Sequence, residues 1–227
     1  MTRRPRPRAL LLDLDGTLID GAPDLAAALG EVLSQYGRTP LDVDQTRRFV
    51  GHGVARLVGD AFAHTGAPLA GDQLAQAVHA MERAYAARLT VDTILLPGAR
   101  ELVDSCGTLG IALACVTNKP TAMAREILEF FGLVPGIAEV LGGDLDLPRK
   151  PAPEPLLAAI DRLGVDKAQA WMVGDGLPDI GAARAAGVTM ACVPSRFGEE
   201  FDAHAQADMV FASLHELRDA LAETGAQ

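Results

Sequence analysis

The sequence predicts an α/β fold in which a doubly wound parallel sheet is interrupted by one inserted helical domain. Short apolar runs alternate with amphipathic helical patterns over most of the 227 residues, as in sheets that helices cover on both faces. Between Asp20 and about Asp92 all of the patterns are helical. We therefore predict a core domain of residues 1–20 and 93–227 and a helical domain of residues 21–92.

Six short apolar runs predict the strands of the core domain, and patterns of helical period fill the gaps between them. Gly110, Gly132, Gly164 and Gly187 follow the first four of these helices, as C-terminal caps do. The predicted strands lie near residues 9–14, 111–117, 137–141, 170–173, 188–193 and 208–211. The predicted helices lie near residues 98–109, 121–131, 154–163, 178–186 and 214–222.

The inserted segment carries three apolar stripes at helical spacing and a shorter helix near residues 43–50. These stripes predict the core of a small helical bundle, and we do not interpret them as a cofactor-binding surface. Their members are Leu25, Leu29, Val32, Leu33 and Tyr36, then Val54, Leu57, Val58, Ala61 and Phe62, and then Leu74, Val78, Met81 and Tyr85.

Charge and cysteine content exclude several functions. A formal net charge of −10 disfavours binding to nucleic acid or to an anionic membrane. The N-terminal arginines precede an apolar run that Asp13 breaks, so we predict neither a signal peptide nor a membrane segment. The widely spaced Cys106, Cys115 and Cys192 are typical of buried free thiols in a reducing compartment. We expect a cytoplasmic protein that is a monomer or a homodimer.

Two carboxylates, Asp13 and Asp15, follow the first predicted strand, and Gly16 supplies the turn after them. The carboxyl edge of a parallel sheet is where open α/β folds bind ligands. Two acids held close together there repel each other unless a cation or a shared proton intervenes. An Asp-Gly pair alone fits a solvated turn, but the longer pattern Asp-x-Asp-Gly-Thr after an apolar strand favours a site.

Polar residues also follow two other predicted strands. After one of them come Thr117, Asn118 and Lys119, at the start of a helix. The hydroxyl and the helix N-terminal amides suit a phosphate, but they equally suit an ordinary helix cap. After another strand come Asp175 and Asp179, which are four positions apart across a turn, so both can face one pocket.

Lysine is rare in this chain, with three residues against seventeen arginines, and two of the three lie in these segments. Lys150 lies in a proline-rich turn, and its compact ammonium suits a phosphoryl oxygen among carboxylates. Lys119 is expected to contribute less, with its side chain pointing to solvent. Lys167 is best interpreted as a solvated surface charge.

These segments, in this order, resemble the motifs of the haloacid dehalogenase superfamily in its phosphatase form. The resemblance implies a Rossmann-like core, catalysis through an aspartyl-phosphate and Mg²⁺ as the cofactor. The segments that carry it are Asp13-Leu14-Asp15-Gly16-Thr17, Thr117-Asn118-Lys119-Pro120, Lys150-Pro151 and Gly174-Asp175-Gly176-Leu177-Pro178-Asp179.

The resemblance assigns a role in catalysis to each motif. It implies that Asp13 is the nucleophile and that Asp15 is the general acid and base. Donors aimed at the phosphoryl oxygens would stabilise the charge that spreads over them. These donors would be Lys150, the Thr117 hydroxyl and the backbone N–H groups of Leu14 and Asn118.

The resemblance also implies a metal site. Mg²⁺ takes oxygen ligands and usually keeps several waters. The ligands would be Asp13, Asp175 and the backbone carbonyl of Asp15. Asp179 would either bind the metal directly or support the groups that do, and we slightly favour the supporting role.

The position of the inserted helices matches the helical cap of one subgroup of this superfamily. The segment 20–29 and the loop Gly51-His52-Gly53 resemble the bacterial phosphoglycolate phosphatases within that subgroup. The resemblance weakens at Ser195-Arg196-Phe197-Gly198. It implies a small phosphomonoester substrate, with 2-phosphoglycolate favoured, whose carboxylate would be bound by Gly51-His52-Gly53 and Arg56. For Arg56, a solvated surface charge is an equally good interpretation.

Other functions share parts of this pattern. A sugar-phosphate phosphatase or phosphomutase would use the same motifs and differ mainly in how the cap handles water and substrate. A haloacid dehalogenase would need neither Mg²⁺ nor Asp15, and a phosphonate-cleaving hydrolase typically carries a cap lysine, whereas residues 21–92 contain none. A catalytically silent regulator that binds a phosphorylated ligand is the least favoured, because every motif is intact.

Overall fold

The computed structural model describes residues 5–194 and 206–223, so the segment 195–198 lies outside the described residues. The chain divides into two compact units, with boundaries after Ile19 and after Ile94. The strands are β1 (Ala9–Leu12), β2 (Ile19–Asp20), β3 (Ile94–Leu95), β4 (Ala112–Val116), β5 (Glu139–Leu141), β6 (Ala170–Gly174), β7 (Thr189–Cys192) and β8 (Met209–Val210). The helices are α1 (Ala22–Gln35), α2 (Val43–Arg47), α3 (Val54–Thr65), α4 (Gly71–Ala86), α5 (Ala99–Leu109), α6 (Thr121–Phe130), α7 (Glu154–Leu163), α8 (Leu177–Ala186) and α9 (Leu214–Glu223).

The core unit is built on a six-stranded sheet with the order β5-β4-β1-β6-β7-β8. Every pair of neighbouring strands in it is parallel. The chain adds β4 and β5 on one side of β1 and then β6, β7 and β8 on the other side. The sheet is therefore doubly wound, and β1 lies where the direction of winding reverses, which is where such folds bind ligands.

Both faces of the central strands are buried. Leu11 on β1 and Met172 on β6 share one apolar core with residues of α7 and α8. The residues that point the other way, such as Leu10 and Leu113, are buried as well, and α5 packs against β4 and α9. Burial on both faces explains why these strands are continuous apolar runs and not alternating patterns.

The six predicted strands and five predicted helices of the core domain are all present, with ends that differ from prediction by at most two residues. Because β1 and β4 end early, Asp13 and Thr117 lie in the loops that follow them. Gly110, Gly164 and Gly187 are left-handed C-caps, as predicted. Gly132 also has a left-handed φ, of 59°, and directly follows Phe131, the C-cap residue of α6, so it ends that helix as predicted.

The helical unit is a small bundle in which α4 packs against α1 and α3, and α2 packs against α1. The predicted stripes supply most of its large buried apolar side chains, including Leu29, Phe62 and Met81. On α4, Leu74 and Val78 are only half-buried. The short helix predicted near residues 43–50 ends earlier, at Arg47.

Buried acids connect distant parts of the helical unit. Asp24 on α1 is fully buried, and its Oδ2 accepts from the Thr93 backbone N–H and hydroxyl, both at 2.8 Å. Its Oδ1 accepts from Arg88 Nε at 3.2 Å. Asp20 accepts from Arg47 Nη2 at 2.5 Å. These bonds satisfy carboxylates that would otherwise be costly to bury.

The three cysteines are buried free thiols, as predicted. Burial raises the pKa of the Cys106 thiol to about 12, so this group stays protonated and unreactive. Among residues 5–194 and 206–223, no helix is both long enough and apolar enough to cross a bilayer.

Candidate active site

Three neighbouring strands end in polar residues at one edge of the sheet. β1 lies between β4 and β6, and the ends of the three strands are in register. The residues that follow are Asp13 after β1, Thr117 after β4 and Asp175 after β6. Parallel pairing thus brings together three motifs that are far apart in the sequence.

The Lys150 side chain lies at the centre of this edge and is 3% exposed. Its Nζ donates to Asp13 Oδ1, to Asp179 Oδ1 and to the Val116 carbonyl oxygen, each at 2.7 Å. These bonds use all three protons of the ammonium. The resemblance implies that Lys150 contacts a phosphate. Such a contact requires Lys150 to give up one of these three hydrogen bonds.

The charges around Lys150 depend on one another. Burial alone would lower the pKa of Lys150, but the carboxylates of Asp13 and Asp179 more than offset it and raise that pKa above its ordinary value. Burial raises the pKa of Asp179 to about 6, against the opposing Lys150 ammonium. One ammonium thus faces two carboxylates, and Asp175 adds a third acid nearby.

Asp13, Asp175 and Asp179 each place a carboxylate oxygen within 4.8 Å of the others. The Thr17 hydroxyl donates to Asp175 Oδ1 at 3.1 Å, and the Gly176 backbone N–H donates to Asp179 Oδ2 at 3.2 Å. An all-oxygen cluster of this kind suits a hard divalent cation. Both oxygens of Asp179 accept bonds from the protein, from Lys150 Nζ and from the Gly176 N–H.

The prediction that Lys119 points to solvent is wrong. Its side chain is 4% exposed, and its Nζ lies 2.7 Å from Asp15 Oδ2. The reason is electrostatic, because a largely buried carboxylate needs a compensating charge and Lys119 supplies it. The other oxygen, Asp15 Oδ1, is buried and accepts no hydrogen bond from the described residues.

The loop after β4 is held by side-chain bonds. The Thr117 hydroxyl oxygen accepts from the Lys119 backbone N–H at 3.2 Å and still carries a proton to donate. Asn118 Nδ2 donates to the backbone carbonyl of Lys150 at 3.0 Å, so this side chain joins two motifs. Phosphate binding by Thr117 and by the backbone N–H groups of Leu14 and Asn118 stays a prediction.

The predicted substrate residues of the helical unit lie around the start of α3. Gly51 and Gly53 have φ angles of 107° and 86°, and His52 between them is exposed. The Arg56 side chain is 68% exposed, and its Nε lies 2.6 Å from Asp60 Oδ2. Glycine is favoured where φ is positive, which explains the composition of this loop. A role in substrate binding stays a prediction.

Comparison with known proteins identifies the family. A model described as haloacid dehalogenase-like hydrolase matches residues 7–187. The chain belongs to the haloacid dehalogenase-like hydrolase family. The match extends over the helical unit and the strand motifs together, so membership of this hydrolase family does not depend on the short motifs alone.

Curated relatives of this hydrolase are similar over nearly its whole length. A phosphoglycolate phosphatase of Rhodospirillum rubrum is 39% identical over 217 residues, which cover 94% of this chain and 90% of the relative. One of Nitrosospira multiformis is 37% identical over 218 residues, which cover 92% and 93%. The crystal structure of a predicted phosphoglycolate phosphatase from Haemophilus somnus has a TM-score of 0.84 at 26% identity and covers 96% of this chain and 98% of that one. The predicted family and fold class are confirmed.

Sequence reasoning missed two contacts of this hydrolase's site. It gave Thr17 no role, although Thr17 lies inside the first motif and its hydroxyl bonds Asp175. It also misplaced Lys119. The signal for Lys119 was present in the composition, because two of only three lysines occur in the motif segments and both are buried.

Proposed function

We propose that this hydrolase cleaves phosphate monoesters with Mg²⁺, through an aspartyl-phosphate on Asp13. The observation that carries the proposal is the pair Asp13 and Asp15, each held at the carboxyl edge of the sheet by its own buried ammonium, Lys150 and Lys119. A dehalogenase that acts on carbon has no use for the second acid. The name of the two curated relatives supports the same reaction class.

The reaction has two halves. The Asp13 carboxylate attacks phosphorus as the bond from phosphorus to the leaving oxygen breaks, and Asp15 gives that oxygen a proton. Asp15 then takes a proton from water, which attacks phosphorus and releases inorganic phosphate and free Asp13. Lys150 orients Asp13 through its 2.7 Å bond to Oδ1, and Thr117 offers its hydroxyl proton to a phosphoryl oxygen.

The residues present fit Mg²⁺. The cluster offers only oxygen donors, and its acids outnumber the single ammonium that they contact. We assign the ligands as Asp13, Asp175 and the backbone carbonyl of Asp15, with Asp179 holding Lys150 in place. When bound, Mg²⁺ would offset the repulsion between the nucleophile and the phosphate dianion.

Replacing Asp15 with Asn should slow the hydrolysis of alkyl phosphates far more than the first step on aryl phosphates. General acid–base catalysis is worth about 10²–10⁴-fold, and this should be lost for an alkoxide leaving group. The p-nitrophenolate ion leaves without a proton, so its initial burst should hardly change. Rapid mixing measures that burst, and steady-state phosphate release measures the alkyl esters.

The burst is measured because Asp15 also acts in the second half of the reaction, so its loss should slow the steady-state turnover of both substrates. Asp161→Asn is the matched control, since Asp161 is an exposed residue of α7. Equal losses in the burst and in alkyl ester hydrolysis would assign Asp15 a structural or metal-holding role instead.

We also propose that the helical unit, predicted as residues 21–92 and spanning Asp20–Ile94 in the structure, is the cap of the enzyme. We propose a small carboxylated phosphomonoester as its substrate, 2-phosphoglycolate above all. We place the donors to that carboxylate in the loop Gly51-His52-Gly53, and Arg56 supplies positive charge. The name of the curated relatives supports this substrate.

Wild-type enzyme should prefer 2-phosphoglycolate to ethyl phosphate, which has the same carbon count and no carboxylate. Charge-assisted hydrogen bonds predict roughly a 10- to 100-fold difference in kcat/KM. At least one of Arg56→Ala and His52→Ala should lose this preference while its activity on ethyl phosphate stays unchanged. Phosphate release with and without Mg²⁺ measures both effects.

Arg83→Ala provides the control, because Arg83 is an exposed arginine of α4, away from the loop in sequence. Equal kcat/KM for the two esters in the wild type would exclude carboxylate recognition and move the search to sugar phosphates. Absence of Mg²⁺-dependent release from 2-phosphoglycolate, sugar phosphates and nucleoside monophosphates would refute the phosphatase function and favour a regulator that binds a phosphorylated ligand.

A further inference from the structure

Two buried lysines each form an ion pair with one of the two carboxylates that the proposed reaction uses. Lys150 holds Asp13, and Lys119 Nζ lies 2.7 Å from Asp15 Oδ2. The Lys150 and Lys119 side chains are 3% and 4% exposed, so neither ion pair is a solvent-screened surface contact. The two half-reactions described above give Lys150 a role and leave Lys119 without one.

We propose that Lys119 is a positioning residue that selects which oxygen of Asp15 exchanges the proton. Lys119 occupies Oδ2, and Oδ1 is the buried oxygen that accepts no bond from the described part of the chain. Oδ1 is thus left to give its proton to the leaving oxygen and later to take one from water, which requires the substrate to reach an oxygen that is closed to solvent in this structure. The ammonium keeps its own protons. This inference rests on the proposed phosphatase function.

The contact suits both half-reactions. An oxygen such as Oδ2 accepts a hydrogen bond when Asp15 is a carboxylate, and also when Asp15 is an acid with its proton on Oδ1. The ammonium therefore holds the carboxyl group through both steps. Without it, this group turns about its terminal bond, for which the torsional preference is broad. Misorientation by a small amount is costly in proton transfer.

The loop after β5 fixes the backbone from which the Lys119 side chain starts. The Gly143 N–H donates to the Lys119 carbonyl at 2.9 Å, and the Lys119 N–H donates to Thr117 Oγ1 at 3.2 Å. A Cβ at Gly142 would lie 2.6 Å from the Lys119 carbonyl oxygen, so only glycine permits this close approach. Asp144 Oδ1 accepts the first N–H of α6 at 2.8 Å, which anchors the residues that follow. These bonds therefore hold the backbone of Lys119 in place, and its side chain extends from there to Asp15.

Lys119→Met removes the ammonium and keeps an unbranched stem of similar length. We expect kcat on alkyl phosphates to fall by about 10- to 100-fold, part of what general acid–base catalysis is worth. The p-nitrophenolate burst should hardly change, because it does not depend on proton transfer by Asp15, and KM should not rise. Lys167→Met is the matched control, since Lys167 is exposed in a short 3₁₀ turn, Lys167–Gln169.

A double variant, Asp15→Asn with Lys119→Met, tests whether Lys119 acts through Asp15. If it does, adding Lys119→Met to Asp15→Asn should slow alkyl phosphate hydrolysis no further, because residues that act as a unit are not additive. Thermal unfolding of all variants monitors the fold. The double variant removes both charges, so it stays informative even if Lys119→Met alone is unstable.

Each other outcome overturns the inference. Equal losses in alkyl ester hydrolysis and in the p-nitrophenolate burst would make Lys119 a structural residue, and a raised KM without leaving-group dependence would make it a direct phosphate ligand. No loss on either ester would show that the contact is dispensable. If the wild-type enzyme releases phosphate, any of these results overturns this inference and leaves the proposed function standing. If the wild-type enzyme is inactive, the proposed function is overturned, and the inference with it.

Discussion

Asp13→Asn should abolish turnover and leave the fold intact. The amide is a poor nucleophile, so we expect a loss of roughly 10⁴-fold or more in kcat. The replacement is nearly isosteric and keeps an oxygen that accepts from Lys150 Nζ, which donates to Asp13 Oδ1 at 2.7 Å in the wild type. It also removes one negative charge from a cluster in which acids predominate, so the free energy of unfolding should change little.

Trapping separates this assignment from a purely electrostatic role for Asp13. Beryllofluoride mimics a phosphoryl group on aspartate, so with Mg²⁺ it should raise the Tm of the wild type and not that of Asp13→Asn. Asp161→Asn, an isosteric change at an exposed site of α7, should keep both the activity and the Tm shift. Normal turnover in Asp13→Asn, or trapping that survives in it, would disprove the nucleophile assignment.

The core fold could be predicted from the sequence because its strands are buried on both faces. Such strands appear as continuous apolar runs, and the first acid of each acidic motif directly follows one of them, as Asp13 follows Leu12. The order of the strands was not predicted, yet it is what places Asp13 between Thr117 and Asp175. Periodicity reports which face of an element is buried and says nothing about which neighbour lies beside it.

Contacts between polar side chains could not be predicted for the same reason. Lys119 follows a strand and precedes a helix, a position where lysine is usually solvated, and its partner Asp15 lies in a different motif. The bond from Thr17 to Asp175 crosses 158 residues of sequence. In the helical unit, Asp24 is fully buried because it accepts bonds from residues near the end of that unit, which no local pattern indicates.

The two motif lysines have more similar surroundings than their own sequence segments indicate. Lys150 lies in a proline-rich turn and Lys119 at a strand-to-helix junction, yet each contacts a carboxylate of the first motif at 2.7 Å. Two largely buried acids two positions apart each gain from a compensating cation, and each has one. The scarcity of lysine in this chain therefore carried information about both residues.

Lys150→Met should be the most destabilising single change in the site and should also cost activity. It leaves Asp13 and Asp179 as largely buried carboxylates without the ammonium that contacts both at 2.7 Å. Removing one partner of a buried ion pair costs about 3–5 kcal/mol in the free energy of unfolding. Loss of a charged donor that orients the nucleophile should lower kcat by roughly 10²–10³-fold.

Stability and catalysis can be separated by a second substitution. Lys150→Met leaves the Asp13 and Asp179 carboxylates without a compensating ammonium. Adding Asp179→Asn removes one of these two charges, so it should restore part of the stability and none of the activity. Denaturant unfolding is measured without Mg²⁺, because a bound cation would offset the same charges. Lys167→Met is the control for losing a lysine from the surface. If Lys150→Met proves as stable and as active as this control, Lys150 neither compensates the buried acids nor orients Asp13, and the assigned centre of the site is wrong.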